Sequence, residues 1–396
     1  MVDPGSPPGA SSNSAVEGPR FKQLAAAALV LADYSKTPEH TLEALITYGN
    51  CEYFWSRGAL MRTWLLMGLV ARLALRMGLH RDPDNFPNIT PFQGEIRRRI
   101  WNTLEQIDAL SSFQIGLPSM IRTINSDTRR PQNLMDADFG EHTLQLPPER
   151  PMEDFTPVTY SISKLKLCKV FAEAAALTHL VILPNEAEIL KIDKQLQEAK
   201  SLVPPILRVK PMHLCIGDSP HLIICRFNLE FLYNKTIIIL HRRFLTDNVS
   251  ESQRKHSRRV LVEAAVEYMQ HHKIIYEESL PGGRFTKIPW YLTSLKTADF
   301  ILAAVIICLI LSMQFRGAAN DEVAELDECP YTVAELKGYL ESSYTIWKTL
   351  DQPDPDTLKA TQMIRAMLDR IETMWYPSRE SNSEQSLSMG SSSSSM

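Results

Sequence analysis

Residues 90–101 have the sequence TPFQGEIRRRIW, and this segment predicts the start of a long α-helix. Thr90 suits the N-cap position, Pro91 suits the first helical position, and the Gln93 side chain can return to the Thr90 backbone to close a capping box. Apolar residues then recur at a spacing of three or four: Ile96, Ile100, Leu104 and Ile107. That period is typical of a helix that buries one face. The sequence therefore predicts a helix that begins near residue 90 and continues past residue 107.

The preceding segment, residues 77–83 with the sequence MGLHRDP, predicts the end of another helix. Gly78 suits the left-handed residue that often ends a helix, and Asp82-Pro83 disfavours further helix. His80 and Arg81 lie where positive charge interacts well with the negative end of a helix dipole. Helix capping explains all of these residue types without a chemical role.

Three consecutive arginines, Arg97 to Arg99, leave two interpretations. They can pair with carboxylates of the same chain, such as Asp108 or the acids in residues 136–141, or they can contact phosphates. Consecutive helical residues point about 100° apart, so the three side chains do not form one flat basic face, and we favour pairing within the chain. Asp108 lies on an apolar helical stripe, ahead of Gly116-Leu117-Pro118-Ser119. We expect it to pair with an arginine, with contact to a ligand as the alternative.

Helical periodicity extends over most of the chain, and no segment shows the sustained alternation that a β-sheet would need. Three segments rich in proline or glycine interrupt it: residues 81–94, 117–155 and 278–290. We predict an all-α fold, in which residues 20–376 form one large multi-helix domain, either as a single body or as two lobes. Residues 1–19 and the serine-rich tail at 377–396 are expected to be disordered, because their composition offers little to bury.

The composition narrows the range of functions. The chain has 396 residues, a formal charge of −4, 44% hydrophobic residues and 22% charged residues, which is globular and lacks the basic field of an isolated DNA-binding domain. The longest apolar run, residues 300–313, is shorter than the ~20 residues that cross a bilayer, so it predicts a buried helix. The N-terminus lacks the apolar core of a secretory signal.

The six cysteines show no Cys-x-x-Cys spacing and are expected to be buried free thiols, with metal ligation across the fold as the alternative.

Two tripeptides are also found in protein kinases: His80-Arg81-Asp82 and Asp138-Phe139-Gly140. The kinase interpretation fails because Pro87 stands where the catalytic loop needs a metal-binding asparagine, and no glycine-rich loop precedes it. The sequence also contains no Gly-x-Ser-x-Gly elbow, no His-Glu-x-x-His motif and no P-loop. We therefore predict that the chain is not an enzyme and has no catalytic, cofactor-binding or metal-binding residue.

Three weaker patterns are explained most simply without a chemical role. Arg254-Lys255-His256-Ser257-Arg258-Arg259 predicts a solvated helix start, with a nuclear import signal or a nucleic-acid contact as alternatives. His271-His272 is a weak metal candidate, because no second helical histidine lies four residues away. Asp351 to Asp356 forms an acidic turn without the close aspartate spacing of helical terpene cyclases.

The order of these motifs resembles the fungal-specific transcription factor regulatory domain, the middle homology region of fungal binuclear zinc-cluster regulators. Residues 64–83 and 90–118 are similar to its central signature, and Thr41-Leu42-Glu43-Ala44-Leu45 is similar to its early helix. Leu240-His241-Arg242-Arg243-Phe244-Leu245 is similar to its His-Arg-Pro-Phe helix end. The likeness covers about residues 40–375. It implies a helical regulatory domain of a transcription regulator that acts in the nucleus.

The resemblance implies zinc and direct DNA binding only outside this chain. In the family an N-terminal zinc cluster binds DNA, whereas this sequence has neither the cluster nor a heptad segment before residue 40. We expect no cofactor in this chain, no membrane association, and DNA contact only indirectly or through a missing N-terminal domain. The expected partners are other transcription regulators or a second copy of the chain, and a small-molecule inducer is an option. The alternative is a truncated regulator without its own DNA-binding domain, which acts by protein–protein interaction with full-length zinc-cluster factors.

Overall fold

The computed structural model describes residues 14–55, 60–181, 184–245, 250–288, 297–319, 329–349 and 355–375. These residues form eleven α-helices and no β-strand, which confirms the predicted all-α fold. The helices are α1 Ser14–Leu31, α2 Thr41–Trp55, α3 Leu60–Arg76, α4 Pro91–Gln114, α5 Pro157–Thr178, α6 Glu186–Ser201, α7 Pro220–His241, α8 Glu251–Ser279, α9 Thr297–Ala319, α10 Val333–Lys348 and α11 Pro355–Trp375.

The chain divides into two compact units, Met1–Leu240 and His241–Met396. In the first unit, consecutive helices from α1 to α6 pack on one another. Side chains of α2, α3 and α4 form an apolar cluster in this unit, which includes Leu42, Leu45, Val70, Ala74, Trp101 and Leu104. The apolar spacing of three to four residues in α3 and α4 therefore faces this core, as the sequence indicated.

The second unit is built around α9. This helix packs against α8, α10 and α11, and α8 also packs against α10. Ala303, Ile307 and Leu311 are completely buried, which confirms that the apolar run at residues 300–313 is a core helix. Within the described part of the chain, no helix combines the length and the apolar character that crossing a bilayer requires.

The first helix begins earlier than the sequence indicated. Disorder was predicted for residues 1–19, but α1 begins at Ser14. Residues 1–13 and the tail from residue 376 onward lie outside the described residues. Ala15, Val16 and Glu17 therefore belong to α1, although they lie within the segment that was predicted to be disordered.

Two glycines end the helices that flank the central signature. Gly78 has a φ of 75°, its N–H bonds the carbonyl of Leu75 at 3.0 Å, and the N–H of Leu79 bonds the carbonyl of Ala74 at 2.9 Å. This pair of bonds is the Schellman motif, and it satisfies carbonyls that the end of α3 would otherwise leave without partners. Gly116 ends α4 with the same φ and the same bonding pattern. The predicted capping role of Gly78 is confirmed.

Replacing Gly78 with alanine is expected to lower the free energy of unfolding by about 1–2 kcal/mol, because an L-residue is strained at this positive φ. An added Cβ would meet only the Arg97 guanidinium, at 3.7 Å, so crowding contributes little. Gly68→Ala is the matched control: it lies inside α3, and no described atom approaches its added Cβ within 4 Å. This second substitution is expected to stabilise the chain by about 0.5–1 kcal/mol. Urea denaturation followed by circular dichroism checks both signs, and a stabilising Gly78→Ala would contradict the capping role.

Candidate functional site

Four charged side chains, which we call the arginine brace, connect the turn after α3 with α4 and with the segment after α4. They are Asp82, Asp84, Arg98 and Arg129. Arg98 binds Asp82 through two bonds, from Nε to Oδ2 at 3.0 Å and from Nη2 to Oδ1 at 2.7 Å. Arg129 donates its backbone N–H to Asp82 Oδ2 at 2.9 Å and its guanidinium to Oδ1 at 3.0 Å. Asp84 accepts from both arginines. Three segments distant in sequence are therefore held in one arrangement.

The charges and burial of the brace indicate a structural role instead of a role in proton transfer. Asp82 and Arg98 are each only 5% exposed. Burial raises the pKa of Asp82, but the bonds from Arg98 and Arg129 outweigh it and lower the pKa to about 2. A general base works best with a pKa near the operating pH, so this carboxylate is unsuited to proton abstraction. It acts as an acceptor that is ionised at physiological pH.

Acid is expected to weaken the brace in a defined pH window. A carboxyl group whose pKa is lower in the folded state stabilises the protein above its unfolded pKa and loses that contribution as the pH falls through the folded pKa. For Asp82 the window lies between the ordinary value of 3.8 and the folded value of about 2. We expect a loss of about 1–2 kcal/mol across this window.

The measurement is urea unfolding at pH 4, 3 and 2 for the wild-type chain and for Asp82→Asn. Asp138 and Asp218, whose pKa values are also lowered to about 2, titrate in both proteins, so the difference between the two pH profiles isolates Asp82. The variant should show the shallower decline. Equal declines would mean that Asp82 does not contribute.

The other two arginines of the triplet also bind within the chain. Arg97 donates to the last carbonyl of the α3 end, that of Met77. Arg99 bonds Glu95 Oε1 at 2.9 Å and Asp136 Oδ1 at 2.7 Å. The predicted pairing with carboxylates of the same chain is confirmed for Arg98 and Arg99, and Asp136 lies in the group of acids that was named for it. Arg97 bonds a backbone carbonyl instead of a carboxylate.

The expectation that Asp108 pairs with an arginine is wrong. Its Oδ2 accepts from the Ser119 hydroxyl at 2.6 Å and from the backbone N–H of Ile121 at 3.0 Å. The turn at Gly116 brings this segment back over the end of α4, so local donors reach the carboxylate before any distant arginine can. Asp108 therefore caps the 3-10 turn that begins at Ile121 and serves the fold.

A second buried polar cluster centres on Asn133, which is completely buried. Its side-chain NH₂ donates to three backbone carbonyls, those of Arg150, Pro151 and Asp154. Its Oδ1 accepts from the hydroxyls of Thr156 at 2.7 Å and Thr159 at 2.8 Å. These threonines form the capping box of α5, so Asn133 ties the long connection after α4 to the start of the next helix. Sequence reasoning gave Asn133 no role. The available signal was an amide two residues after Pro131, in a segment without regular apolar spacing.

The kinase-like tripeptides have separate bracing roles. Asp138 binds Arg150 through two bonds of 2.7 and 2.6 Å and also accepts from the backbone N–H of Met135 at 2.8 Å. These bonds, chiefly those from Arg150, lower the pKa of Asp138 to about 2. Asp82 belongs to the arginine brace, and the backbone carbonyl of His80 accepts from Ser126 at 3.0 Å.

The basic cluster at residues 254–259 lies in the first turns of α8, as predicted. Ser250 caps this helix by accepting from the backbone N–H of Gln253 at 3.2 Å. The predicted solvation holds only in part, because Arg259 is exposed whereas Ser257 is completely buried. The cluster is therefore a helix start with one side turned into the second unit.

The histidine pair at positions 271 and 272 lies in the core of the second unit. The His272 ring stacks on Phe300 with 3.8 Å between ring centroids. Burial lowers the pKa of His272 to about 3, so the ring is neutral at physiological pH. Stacking and burial account for His272 without a metal. Residues 351–354 of the acidic turn lie outside the described residues.

The six cysteines do not fit a binuclear zinc cluster. All are free, and Cys168, Cys215, Cys225 and Cys308 are buried, whereas Cys51 and Cys329 are half-buried. Zinc binds thiolates, but burial raises the pKa of Cys225 and of Cys308 to about 12. The prediction of buried free thiols is confirmed for four of the six.

The region that contains the arginine brace matches a known protein family. The sequence model of the fungal specific transcription factor domain matches residues 11–198, a range that includes α1 to α5 and both polar clusters. The chain belongs to this family. Its two polar clusters are therefore features of a fungal specific transcription factor domain.

Relatives of this domain cover most of the chain. It is 34% identical to the Zn(2)-C6 fungal-type transcription factor pigI of Monascus ruber over 88% of this chain and 43% of the relative. It is 32% identical to the Zn(2)-C6 fungal-type transcription factor mpsB of Macrophomina phaseolina over 89% of this chain and 48% of the relative. It is 33% identical to the equisetin cluster transcription factor eqxF of Fusarium heterosporum over 91% of this chain and 51% of the relative. The chain thus spans about half the length of the curated relatives it matches. No solved structure matches it.

Proposed function

We propose that this chain is the helical regulatory region of a fungal transcription regulator that acts in the nucleus. The observation that carries the proposal is the 34% identity over 88% of the chain to a protein named as a transcription factor. The polar clusters support it, because the charged groups of the central signature are used to cap and cross-brace helices. Such a region responds to a partner through its packing, and we propose that it has no enzymatic activity.

DNA contact is proposed to come from a zinc cluster outside this fold. Two relatives are named as Zn(2)-C6 factors, whereas the cysteines of this chain do not fit that cluster and no cofactor is proposed for it. The proposed partners are other transcription regulators or a second copy of the chain, together with a small-molecule inducer. The alternative, a module that acts only through full-length factors, is not favoured, because the relatives are named as transcription factors themselves.

A reporter fusion tests the regulatory role. The full chain is joined to a heterologous DNA-binding domain in a fungal host, and reporter output is compared with that of the DNA-binding domain alone. The fusion should change the output, and Arg98→Met, which breaks the arginine brace, should abolish the change. Arg81→Met is the matched control, because its half-exposed guanidinium lies 3.7 Å from Asp127 outside the brace, and it should behave as wild type. An output equal to that of the DNA-binding domain alone would contradict the proposal.

Sequencing the transcript upstream of the Met1 codon distinguishes the proposal from its alternative. Cys-x-x-Cys repeats in the same reading frame would support a regulator with its own DNA reader. A stop codon in that frame ahead of Met1, together with a working reporter fusion, would favour the module that acts through other factors.

A further inference from the structure

Helix α1 presents an apolar stripe that the described part of the chain leaves uncovered. It consists of Phe21, Leu24, Ala27, Ala28 and Leu31, whose spacing of three or four residues places them on one side of the helix, and we call it the outer face of α1. Phe21 is 63% exposed, Leu24 55% and Leu31 86%, and both alanines are exposed as well. Soluble monomers rarely expose several large apolar side chains side by side, and such a patch marks an interaction site.

The opposite side of α1 already has its partner within the first unit. Lys22, Ala26 and Leu29 lie on that side and are half-buried. Leu29 packs against the apolar cluster of α2, α3 and α4, and Lys22 pairs with Glu52 of α2 at 2.9 Å. These contacts fix the direction in which α1 faces, so the outer face cannot turn inward without breaking them. The outer face therefore needs an occupant from outside the first unit.

The absence of charge on this face selects the kind of occupant. Lys22 is the only charged residue between Arg20 and Asp33, and its ammonium is held by Glu52 on the inner side. A face without charge offers a charged partner nothing to pair with, whereas it suits another uncharged apolar helix. A second copy of the chain supplies such a helix, and a two-fold axis allows the same patch to serve on both sides of one interface.

The order of side chains along the face suits an antiparallel pair. Large residues stand on both sides of Ala27 and Ala28, with Leu24 one turn before them and Leu31 one turn after. In an antiparallel pair centred on the two alanines, small side chains meet at the centre, so the helices approach closely. Leu24 of each copy then lies beside Leu31 of the other. In a parallel pair, each of these residues would instead lie beside its own equivalent.

The ends of the face favour the same arrangement. Helix dipoles attract when two helices lie antiparallel and repel when they lie parallel. Arg20 precedes the face and Asp33 follows it, so an antiparallel pair also brings each Arg20 toward the Asp33 of the other copy. Asp33 already binds Lys36 at 3.0 Å, so this attraction is the smaller of the two.

The size of the face predicts a dimer that forms weakly and reversibly. Burying one large apolar side chain removes roughly 60–120 Å² from water, so the outer face and the flanking Val30 offer about 300–400 Å² of apolar surface per copy. Homodimer interfaces are about 65% apolar, which gives a total of about 900–1,200 Å² buried by the pair. That total lies at the low end of specific interfaces. We therefore expect a dissociation constant of about 10–100 μM.

We propose that two copies of the chain associate through the outer faces of α1, which pack antiparallel across a two-fold axis. The association follows from the exposure, the lack of charge and the order of side chains on this helix. Its role in regulating transcription rests on the proposed function.

Sedimentation equilibrium of the full chain, over about 2–200 μM, tests the association. The average mass should rise with concentration from that of one chain toward that of two. Leu24→Glu should weaken the dimer at least about tenfold, because it buries a charge in the centre of the interface. Leu190→Glu is the matched control, because Leu190 lies on α6 and is 49% exposed, and it should dimerise as wild type does. A wild-type chain that stays monomeric throughout, or equal effects of the two variants, would overturn the proposal.

Chemical cross-linking tests the antiparallel packing with substitutions that keep the face apolar. Ala27→Cys and Ala32→Cys each place a thiol at an exposed position, the first beside the expected two-fold axis and the second near the end of the helix. A short bismaleimide should link two Ala27→Cys chains, whereas the equivalent positions 32 would lie about 14 Å apart along the helix axes. The wild-type chain measures the background from the native cysteines. Equal cross-linking of the two variants, or no cross-linking of Ala27→Cys above background, would contradict the antiparallel pair.

The reporter fusion keeps the two proposals separate. A dimer in sedimentation without a reporter response refutes only the proposed function. A reporter response from a chain that stays monomeric refutes only the association through α1.

Discussion

Replacing Arg98 with methionine should lower the free energy of unfolding of the first unit by about 3–5 kcal/mol. Methionine preserves much of the side-chain volume but removes both bonds to Asp82. The carboxylate stays buried, at 5% exposure, and retains only the bonds from Arg129 and from the backbone of the turn. The loss is large because the variant leaves a charge in the interior without its main partner.

Urea unfolding at pH 7 measures the loss, and two further variants test its cause. Arg81→Met removes an arginine from the same turn whose guanidinium is about half-exposed, so it should change the free energy by less than about 1 kcal/mol. Adding Asp82→Asn to the Arg98→Met protein should recover part of the stability, because the double variant no longer buries a charge. If Arg98→Met lowered the free energy of unfolding as little as Arg81→Met does, the brace would contribute no more to stability than an exposed ion pair.

The helix starts could be predicted because their signals are local. Thr90 accepts from the backbone N–H of Gln93, and the Gln93 side chain accepts from the Thr90 backbone, both at 3.2 Å, so the capping box involves only neighbours in sequence. The left-handed conformation of Gly78 is equally local. Such features follow from residue type and spacing without knowledge of the chain path.

The partners of the charged groups could not be predicted in the same way. Sequence reasoning proposed that the arginines pair within the chain, but it named Asp108 as a partner, whereas Arg98 pairs with Asp82 and Asp84. The turn between α3 and α4 places these acids beside Arg98, and the turn at Gly116 gives Asp108 other donors. Which acid meets which arginine is a property of the three-dimensional path.

The buried polar cluster around Asn133 could not be predicted from spacing. Asn133 stands in an irregular connection, and the backbone carbonyls that it bonds could not be located from the sequence. The cluster depends on contacts between segments that are apart in the sequence, which a single sequence does not reveal.

Replacing Asn133 with alanine is expected to lower the free energy of unfolding by about 3–4 kcal/mol. The variant loses five hydrogen-bonding contacts and leaves buried threonine hydroxyls and backbone carbonyls without their partner, and each such loss is worth about 1 kcal/mol or more. The capping box of α5 loosens at the same time, because Thr156 and Thr159 both donate to Asn133. Urea unfolding measures the loss, and faster amide hydrogen exchange in the first turn of α5 would place it.

Asn133→Asp discriminates between a lost shape and lost donors. The aspartate keeps the volume and still accepts from both threonines, but it cannot donate to the three carbonyls and brings a negative charge toward them. It should therefore be destabilising at pH 7 and less so at pH 4, where protonation restores one donor. Asn85→Ala is the matched control, because Asn85 makes a single exposed bond of 3.3 Å to Asp127, and its loss should stay within about 0.5 kcal/mol. A mild Asn133→Asp at pH 7 would show that volume alone matters, and the long connection would then be held by packing instead of by this amide.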